Sequence, residues 1–253
     1  MSVRNYGPLG AALVTVLAGA LALSVAACSK SQPREEGSPT SAAAEAQDRD
    51  AHAHEHGHGD HHARSFDDPE SYAERWNHPE RDAWQRPDLV IEAMEIEEGM
   101  AVADLGAGTG YFIPHLAEAV GDEGVVYAVD IEEEMLRYID EMVEELGLDN
   151  VETVKAEASS SNLEEASVDR ILTVNTWHHI PERGEYSRHL RERLQAGGSV
   201  WVVDFTKDSP TGPPAEHRLE PDSVARELEA GGLRAELREL DLDRQFVVVG
   251  AAD

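Results

Sequence analysis

Residues 100–111 read Met-Ala-Val-Ala-Asp-Leu-Gly-Ala-Gly-Thr-Gly-Tyr. The apolar half, Met100–Leu105, predicts a buried strand. The three alternating glycines that follow allow the backbone to approach a ligand that a Cβ atom would keep away. Ligands of open parallel sheets bind beyond the carboxyl ends of the strands. We therefore expect Asp104 and the glycines to lie at a binding site.

Strand-like and helix-like segments alternate around this stretch. The predicted strands are Met100–Leu105, Gly124–Asp130, Val151–Ala156, Val168–Asn175, Gly198–Phe205, Leu233–Leu240 and Gln245–Ala251, and the predicted helices are Tyr111–Val120, Glu133–Leu146, Tyr186–Leu194 and Pro221–Ala230. Repeated strand–helix units predict a parallel sheet with helices on both faces. A short connection at Asp243-Arg244 makes the last two strands antiparallel. The predicted fold class is α/β, a doubly wound seven-stranded sheet that is mostly parallel with the last strand antiparallel.

A second signal is Asp130, which ends the second predicted strand. A carboxylate in this position accepts hydrogen bonds from a ribose diol. Nicotinamide and flavin sites favour G-x-G-x-x-G, in which a helix N-terminus holds a pyrophosphate. This chain has G-x-G-x-G, preceded by Asp104. An acid beside the turn disfavours a pyrophosphate and suits a ligand that carries an ammonium and a sulfonium.

With these residues the chain resembles the class I S-adenosylmethionine (SAM)-dependent methyltransferases, specifically their small-molecule branch with its Rossmann-like fold. The resemblance implies that Ala103–Tyr111 cradles the methionine part of SAM, that Val129-Asp130 holds the ribose, and that Leu194–Gly198 forms the turn before the fifth strand. The cofactor-binding residues that it implies are Asp104, Gly106, Ala107, Gly108, Gly110, Tyr111, Asp130, Ile131, Glu157 and Asn175.

The end of the fourth strand, Asn175-Thr-Trp-His-His179, is predicted to open onto the reaction centre. It lacks the Asn-Pro-Pro-aromatic arrangement of enzymes that methylate planar nitrogens. Aligning the nucleophile with the methyl group supplies much of the catalysis, and an O–H or N–H nucleophile also benefits from a base. We predict His178 and His179 as catalytic residues because imidazole titrates near neutrality. The alternative is that one of them only satisfies backbone groups. Asp204 and His217 are weaker candidates.

The predicted function is SAM-dependent methyl transfer to a small-molecule O, N or C nucleophile. The chain has a net charge of −30 with histidine neutral, which disfavours nucleic acid as a partner. The alternative function is a non-enzymatic cell-envelope lipoprotein that binds a nucleoside-like ligand or a metal.

A helical cap is predicted over residues 65–95, before the first strand. Pro87 favours a helix start, and the aromatic residues Tyr72, Trp76 and Trp84 require a surface on which to pack. The catalytic domain with its cap is predicted to span residues 65–253. Substrate contacts are expected from this cap and from the loops that follow the fourth and fifth strands.

The N-terminus has the pattern of a secretory signal. Residues 1–27 contain no acidic side chain and one basic side chain, and residues 9–27 are almost wholly apolar. The tetrapeptide Val25-Ala-Ala-Cys28 resembles a bacterial lipobox, which implies lipidation of Cys28. The alternative is an uncleaved membrane anchor, because about 20 apolar residues span a bilayer. We expect an exported, membrane-anchored lipoprotein whose folded domain lies on the periplasmic face.

Residues 28–64 are predicted to form a disordered tether, since they are rich in Ser, Ala, Glu and Gly and lack apolar periodicity. The tether contains six clustered histidines, His52, His54, His56, His58, His61 and His62. Neutral imidazoles suit Zn, Cu and Ni. We predict a Zn or Ni site here that takes no part in catalysis. The alternative is a solvated linker that binds metal only incidentally.

Overall fold

The structure, a computed structural model, describes residues 68–253. The predictions for the signal sequence, Cys28 and the histidine-rich tether fall outside the described residues. The helices are α1 (Pro69–Trp76), α2 (Asp82–Gln85), α3 (Pro87–Ala93), α4 (Ile113–Val120), α5 (Glu133–Leu146), α6 (Arg183–Arg193) and α7 (Pro221–Ala230). The strands are β1 (Ala101–Leu105), β2 (Val125–Asp130), β3 (Val151–Lys155), β4 (Val168–Val174), β5 (Leu194–Phe205), β6 (Arg234–Arg238) and β7 (Gln245–Ala251). None of the helices within residues 68–253 combines the length and the apolar character needed to cross a membrane.

The seven strands form one sheet in the order β3-β2-β1-β4-β5-β7-β6. Strands β1 to β5 pair in parallel, and β7 runs antiparallel to both of its neighbours, β5 and β6. The predicted fold class is therefore confirmed. The chain first builds the sheet from β1 toward β3 and then returns to add β4 on the other side of β1. This reversal opens a crevice between the carboxyl ends of β1 and β4, where such sheets bind ligands.

The predicted start of β5 at Gly198 was wrong, because the strand begins at Leu194. Val168 already pairs with Leu194, and Arg170 pairs with Ser199, so the residues between them bulge out of the ladder. Gly197, with φ of +78°, absorbs the bend. The pair Gly197-Gly198 suggested a turn before the strand, but it lies inside the strand, at this bulge.

The predicted connection between the last two strands was also too short. Strand β6 ends at Arg238 rather than at Leu240, so residues 239–244 join it to β7. The antiparallel pairing does not depend on this difference, since Arg234 pairs with Ala251 and Arg238 with Val247.

The core has two layers, one on each face of the sheet. Along β5, Trp201 and Val203 contribute to the layer under the cap and α4, whereas Val200 and Val202 contribute to the layer under α6 and α7. A strand buried on both faces reads as a continuous apolar run, which explains the sequence of β5. Trp177 is fully buried in the second layer and donates a hydrogen bond from Nε1 to Glu227 at 2.9 Å. It fills the end of β4 rather than lining an open pocket.

The predicted helical cap consists of α1, α2 and α3. Val90 and Met94 are buried in the core layer that α4 also joins. The ring of Trp84 stacks on Phe205, at the end of β5, with 6.2 Å between the ring centroids. The cap is thus tied both to the core and to the carboxyl edge of the sheet.

Candidate functional site

The turn after β1 is held in a conformation that requires glycine. The backbone N–H groups of Gly106 and Ala107 both donate to the carbonyl of Val129, at 2.8 and 3.0 Å. Gly106 has φ of +78°, and a Cβ there would lie 2.3–2.9 Å from side-chain atoms of Thr176. The glycine therefore lets β1, β2 and the end of β4 come together at one point.

Asp130 clamps this turn to the end of β2. One carboxylate oxygen accepts from the Gly108 N–H at 2.8 Å and the other from the Glu132 N–H at 2.9 Å. Burial raises the pKa of Asp130, and these backbone hydrogen bonds oppose the rise. Each oxygen keeps a further lone pair, so both remain able to accept from a ligand hydroxyl.

Two predicted cofactor-binding side chains beside Asp130 face solvent. Ile131 is 48% exposed, although it is a large apolar residue. Glu157 is also exposed, and its backbone forms an isolated bridge with Ser160. The exposed isoleucine places an apolar surface next to the carboxylate.

Asp104 is the most strongly perturbed acid of the site. It is 3% exposed, and this burial raises its pKa to about 7, while the cation of Arg81 opposes the rise and the charge of Asp130 adds to it. Arg81 belongs to the cap, and its guanidinium carbon lies 3.9 Å from the ring centroid of Tyr111. Burial in turn lowers the pKa of Arg81 to about 10. Sequence reasoning missed Arg81 because nothing local links it to β1.

The cap also hydrogen-bonds directly to the glycine turn. Asn77 and Thr109 exchange two hydrogen bonds: the Thr109 hydroxyl donates to Oδ1 of Asn77 at 2.7 Å, and Nδ2 of Asn77 donates to the Thr109 carbonyl at 2.9 Å. The hydroxyl of Tyr111 donates to Asp82 at 2.5 Å. The polar end of Tyr111, predicted as a cofactor contact, is therefore engaged with the cap.

His178 and Asp204 form a buried pair at the ends of β4 and β5. The His178 Nδ1 atom lies 3.0 Å from both carboxylate oxygens, and the side chains are 5% and 2% exposed. An N–H at Nδ1 facing the carboxylate leaves Nε2 as a proton acceptor. His179 is exposed, and its ring centroid lies 4.1 Å from that of His178. Asp204, a weaker candidate by sequence, is therefore the hydrogen-bond partner of a predicted catalytic histidine.

A chain of buried amides connects the cap to the end of β4. Arg81 donates to Oε1 of Gln85, whose Nε2 donates to Oε1 of Gln245 at 2.7 Å. Nε2 of Gln245 then donates to Oδ1 of Asn175 at 2.7 Å. Gln85 and Gln245 are 0% and 4% exposed. Sequence reasoning missed both glutamines, although glutamine at the first position of an otherwise apolar strand is a signal for a polar partner.

Two further histidines belong to other segments of the chain. His115 packs against Tyr111 and Phe112, with ring centroids 5.9 and 6.4 Å away. His217 is exposed in the loop after β5. Among residues 68–253 no group of three or more His, Cys, Asp or Glu side chains could hold a metal ion.

Replacing Asp104 by Asn is expected to stabilise the protein at pH 8 and to change little near pH 4. The carboxyl titrates near pH 3.9 when unfolded and near 7 when folded, so the wild-type free energy of unfolding falls as pH rises through this window. The difference between the two proteins should approach, at most, roughly 4 kcal/mol above pH 7. Chemical denaturation at pH 5 and pH 8 measures it, with the exposed Asp149→Asn as control. A difference independent of pH would contradict the buried, titrating carboxyl.

Comparison with known proteins agrees with this geometry. A methyltransferase-domain family matches residues 102–208. The ubiquinone/menaquinone biosynthesis C-methyltransferase of Escherichia fergusonii is 30% identical over 125 residues, 49% of each chain. The protein-L-isoaspartate O-methyltransferase of Methanococcus maripaludis is 29% identical over 112 residues, 44% of this chain and 50% of that protein. The chain therefore spans about half the length of the curated relatives that it matches.

A solved structure gives a more complete match. The crystal structure of a SAM-dependent methyltransferase from Aquifex aeolicus is 32% identical, with a TM-score of 0.69, and the alignment covers 74% of this chain and 99% of that one. The alignment covers nearly the whole of that enzyme, and this fold contains the glycine turn, Asp130 and the reversed seventh strand. The chain therefore belongs to the class I SAM-dependent methyltransferases.

Proposed function

We propose that the protein transfers the methyl group of SAM to an O, N or C nucleophile of a small molecule, with His178 as general base. The observation that carries this proposal is the buried pair of His178 and Asp204 at the same sheet edge as the glycine turn. A base oriented by a carboxylate, beside a site for a methyl donor, is the arrangement that deprotonating a nucleophile requires.

The residues of the site fit SAM. Gly106 lets the turn close against Thr176 at the sheet edge, and the buried carboxylate of Asp104 suits the ammonium of the methionine part. Asp130 keeps lone pairs for the ribose hydroxyls, and Ile131 offers its exposed side chain to the adenine. When bound, SAM supplies an electrophilic methyl group on a sulfonium.

His178 takes up the proton that the nucleophile loses. Its Nδ1 is fixed by Asp204, so the ring cannot turn Nε2 away without breaking a buried charge-assisted contact. The carboxylate also stabilises the imidazolium that forms. Asp204 is itself held by the backbone N–H of Phe205 at 2.8 Å. Asp204 is thus a positioning residue, and His178 is the group that meets the substrate.

The loop after β5 is proposed as one wall of the acceptor pocket. Arg218 donates to the carbonyls of Thr206, Lys207, Ser209 and Pro213, at 2.7–3.1 Å. One guanidinium thereby fixes both ends of the loop before any ligand binds. Pre-organisation of this kind lowers the entropy lost when an acceptor is aligned with the methyl group.

A small-molecule acceptor is supported by the charge of the chain and by one of its relatives. A net charge of −30 repels phosphate backbones. One relative is named for C-methylation in ubiquinone and menaquinone biosynthesis and another for O-methylation of protein isoaspartate, so this type of domain serves more than one kind of nucleophile.

We further propose that the protein is exported and anchored to a bacterial membrane through lipidated Cys28, with the catalytic domain on the periplasmic face. The support is the apolar N-terminal run that ends at the only cysteine of the chain. Because SAM is made in the cytoplasm, the proposal requires that the cofactor also reaches the cell envelope.

Asp130→Ala is expected to weaken SAM binding about tenfold to over a hundredfold. A hydrogen bond to a charged group contributes about 1.5–3 kcal/mol, and the variant also releases the Gly108 N–H. Calorimetric titration with SAM measures the loss. Asp149→Ala, which removes an exposed carboxylate elsewhere, should bind as the wild type does. Equal affinities of wild type and Asp130→Ala would show that the ribose is held by other residues.

His178→Ala is expected to lower kcat for a phenolic acceptor by about 10²- to 10⁴-fold while the Kd for SAM stays within about threefold. Asp204→Asn should also lower kcat, since its amide cannot fix Nδ1–H as the carboxylate does. His179→Ala is the matched control and should retain most activity, because the His179 side chain is exposed whereas that of His178 is buried against Asp204. Initial rates of methyl transfer, measured with saturating SAM and a panel of phenols, give kcat. A larger loss in His179→Ala than in His178→Ala would contradict the assignment of the base.

Mass spectrometry of the mature N-terminus tests export. We expect an acylated N-terminal Cys28 in the membrane fraction, because several acyl chains, at about 0.8 kcal/mol per buried CH₂, make a stable anchor. Cys28→Ser should lose the lipid and leave the membrane fraction. An intact Met1 terminus in a cytoplasmic pool would overturn the proposal.

A further inference from the structure

The amide chain from the cap to Asn175 can run in only one direction. Arg81 has donors and no acceptor, so the atom of Gln85 that faces it must be the carbonyl oxygen, Oε1. That choice turns Nε2 of Gln85 toward Gln245, which must then present its own oxygen. The same logic turns Nε2 of Gln245 toward Oδ1 of Asn175. A permanent cation at one end therefore sets the orientation of every amide.

Burial prevents the direction of these amide hydrogen bonds from reversing. Gln85 and Gln245 are 0% and 4% exposed, so water cannot replace a partner that is lost when an amide flips. A flip of either glutamine would set two N–H groups against each other and two oxygens against each other. Leaving buried polar groups unpaired in this way is costly.

The chain of amides ends on the Nδ2 group of Asn175, a half-buried residue. Among residues 68–253 no acceptor is assigned to this group, and it is not among the buried side-chain atoms that lack a partner. Asn175 has φ of +56°, which turns the chain sharply away from the sheet after β4. The next residue, Thr176, packs against Gly106 in the glycine turn. The free donor therefore stands at the reaction centre.

We propose that the amide chain fixes Asn175 as a hydrogen-bond donor to a ligand oxygen. The site thereby favours a ligand that presents an oxygen at this position over a ligand that presents an amine. This inference rests on the proposed methyl transfer. The ligand oxygen is that of a carboxylate, a phenolate or a carbonyl group. It belongs either to the carboxylate of SAM or to the methyl acceptor. An amine nucleophile presents N–H groups instead, and the Nδ2 donor of Asn175 cannot pair with them.

Asn175→Asp tests the donor directly, because it keeps an oxygen for Gln245 and replaces the free N–H₂ by a second oxygen. Calorimetry uses S-adenosylhomocysteine and its analogue without the carboxylate, and initial rates use phenols. We expect a tenfold to hundredfold loss in one of two places. Weaker binding of S-adenosylhomocysteine, but not of the analogue, assigns the oxygen to the cofactor. A lower kcat/KM for phenols at unchanged affinity assigns it to the acceptor.

Asn162→Asp is the matched control, since Asn162 also has a left-handed backbone, with φ of +55°, and its amide donates to the Lys155 carbonyl away from the amide chain. It should match the wild type in both assays. If Asn175→Asp also matches the wild type in both, the inference is overturned.

Side-chain amide exchange, measured by NMR on the protein without ligand, separates this inference from the proposed function. Slow exchange at Nε2 of Gln85 and Gln245, with fast exchange at Nδ2 of Asn175, is the expected pattern. Slow exchange at Nδ2 of Asn175 would overturn the inference. If the wild type binds no S-adenosylhomocysteine, the proposed function fails, and the exchange pattern alone still decides the direction of the amide chain.

Discussion

The rest of the site depends on the two backbone hydrogen bonds that the carbonyl of Val129 accepts from Gly106 and Ala107. They join the end of β1 to the end of β2 and force the chain into a turn that only glycine tolerates beside Thr176. Once this turn is formed, Asp130 meets the Gly108 N–H, and the end of β4 approaches β1. The proposed cofactor site and the proposed reaction centre thus arise from the same turn.

Three acids are buried around this turn, and each is compensated differently. Asp130 accepts backbone N–H groups, Asp204 faces an imidazole and accepts the Phe205 N–H, and Asp104 relies on the more distant cation of Arg81. Burying a carboxylate without such partners costs several kcal/mol. Asp104, with the weakest compensation, has its pKa raised to about 7 and is the acid best able to gain from a cationic ligand.

Much of the architecture could be predicted from local patterns. The alternation of apolar strands with amphipathic helices indicated the sheet, and the bounds of α5 and α7 agree with the prediction residue for residue. The glycine turn and Asp130 were identifiable because each stands at a fixed place relative to a strand. His178 and His179 were both predicted as catalytic residues because they follow the end of β4, and the sequence did not distinguish between them. The start of β5 was not, since a Gly-Gly pair reads as a turn whether it precedes or interrupts a strand.

The contacts missed by sequence reasoning are those between distant segments. Gln85 and Gln245 are 160 residues apart, and Arg81 meets Asp104 and Tyr111 only through the docking of the cap. No periodicity or spacing records such a pairing. The partnership of His178 with Asp204 likewise depends on β4 and β5 being neighbours, which the topology establishes and the local sequence does not.

Calorimetric titration of the purified full-length chain with SAM, S-adenosylhomocysteine and NAD tests the central claim most directly. The account predicts that SAM and S-adenosylhomocysteine each bind with one site per chain and that NAD gives no heat, because an acid beside the glycine turn repels a pyrophosphate. Binding of NAD without binding of either sulfur nucleoside would contradict the account.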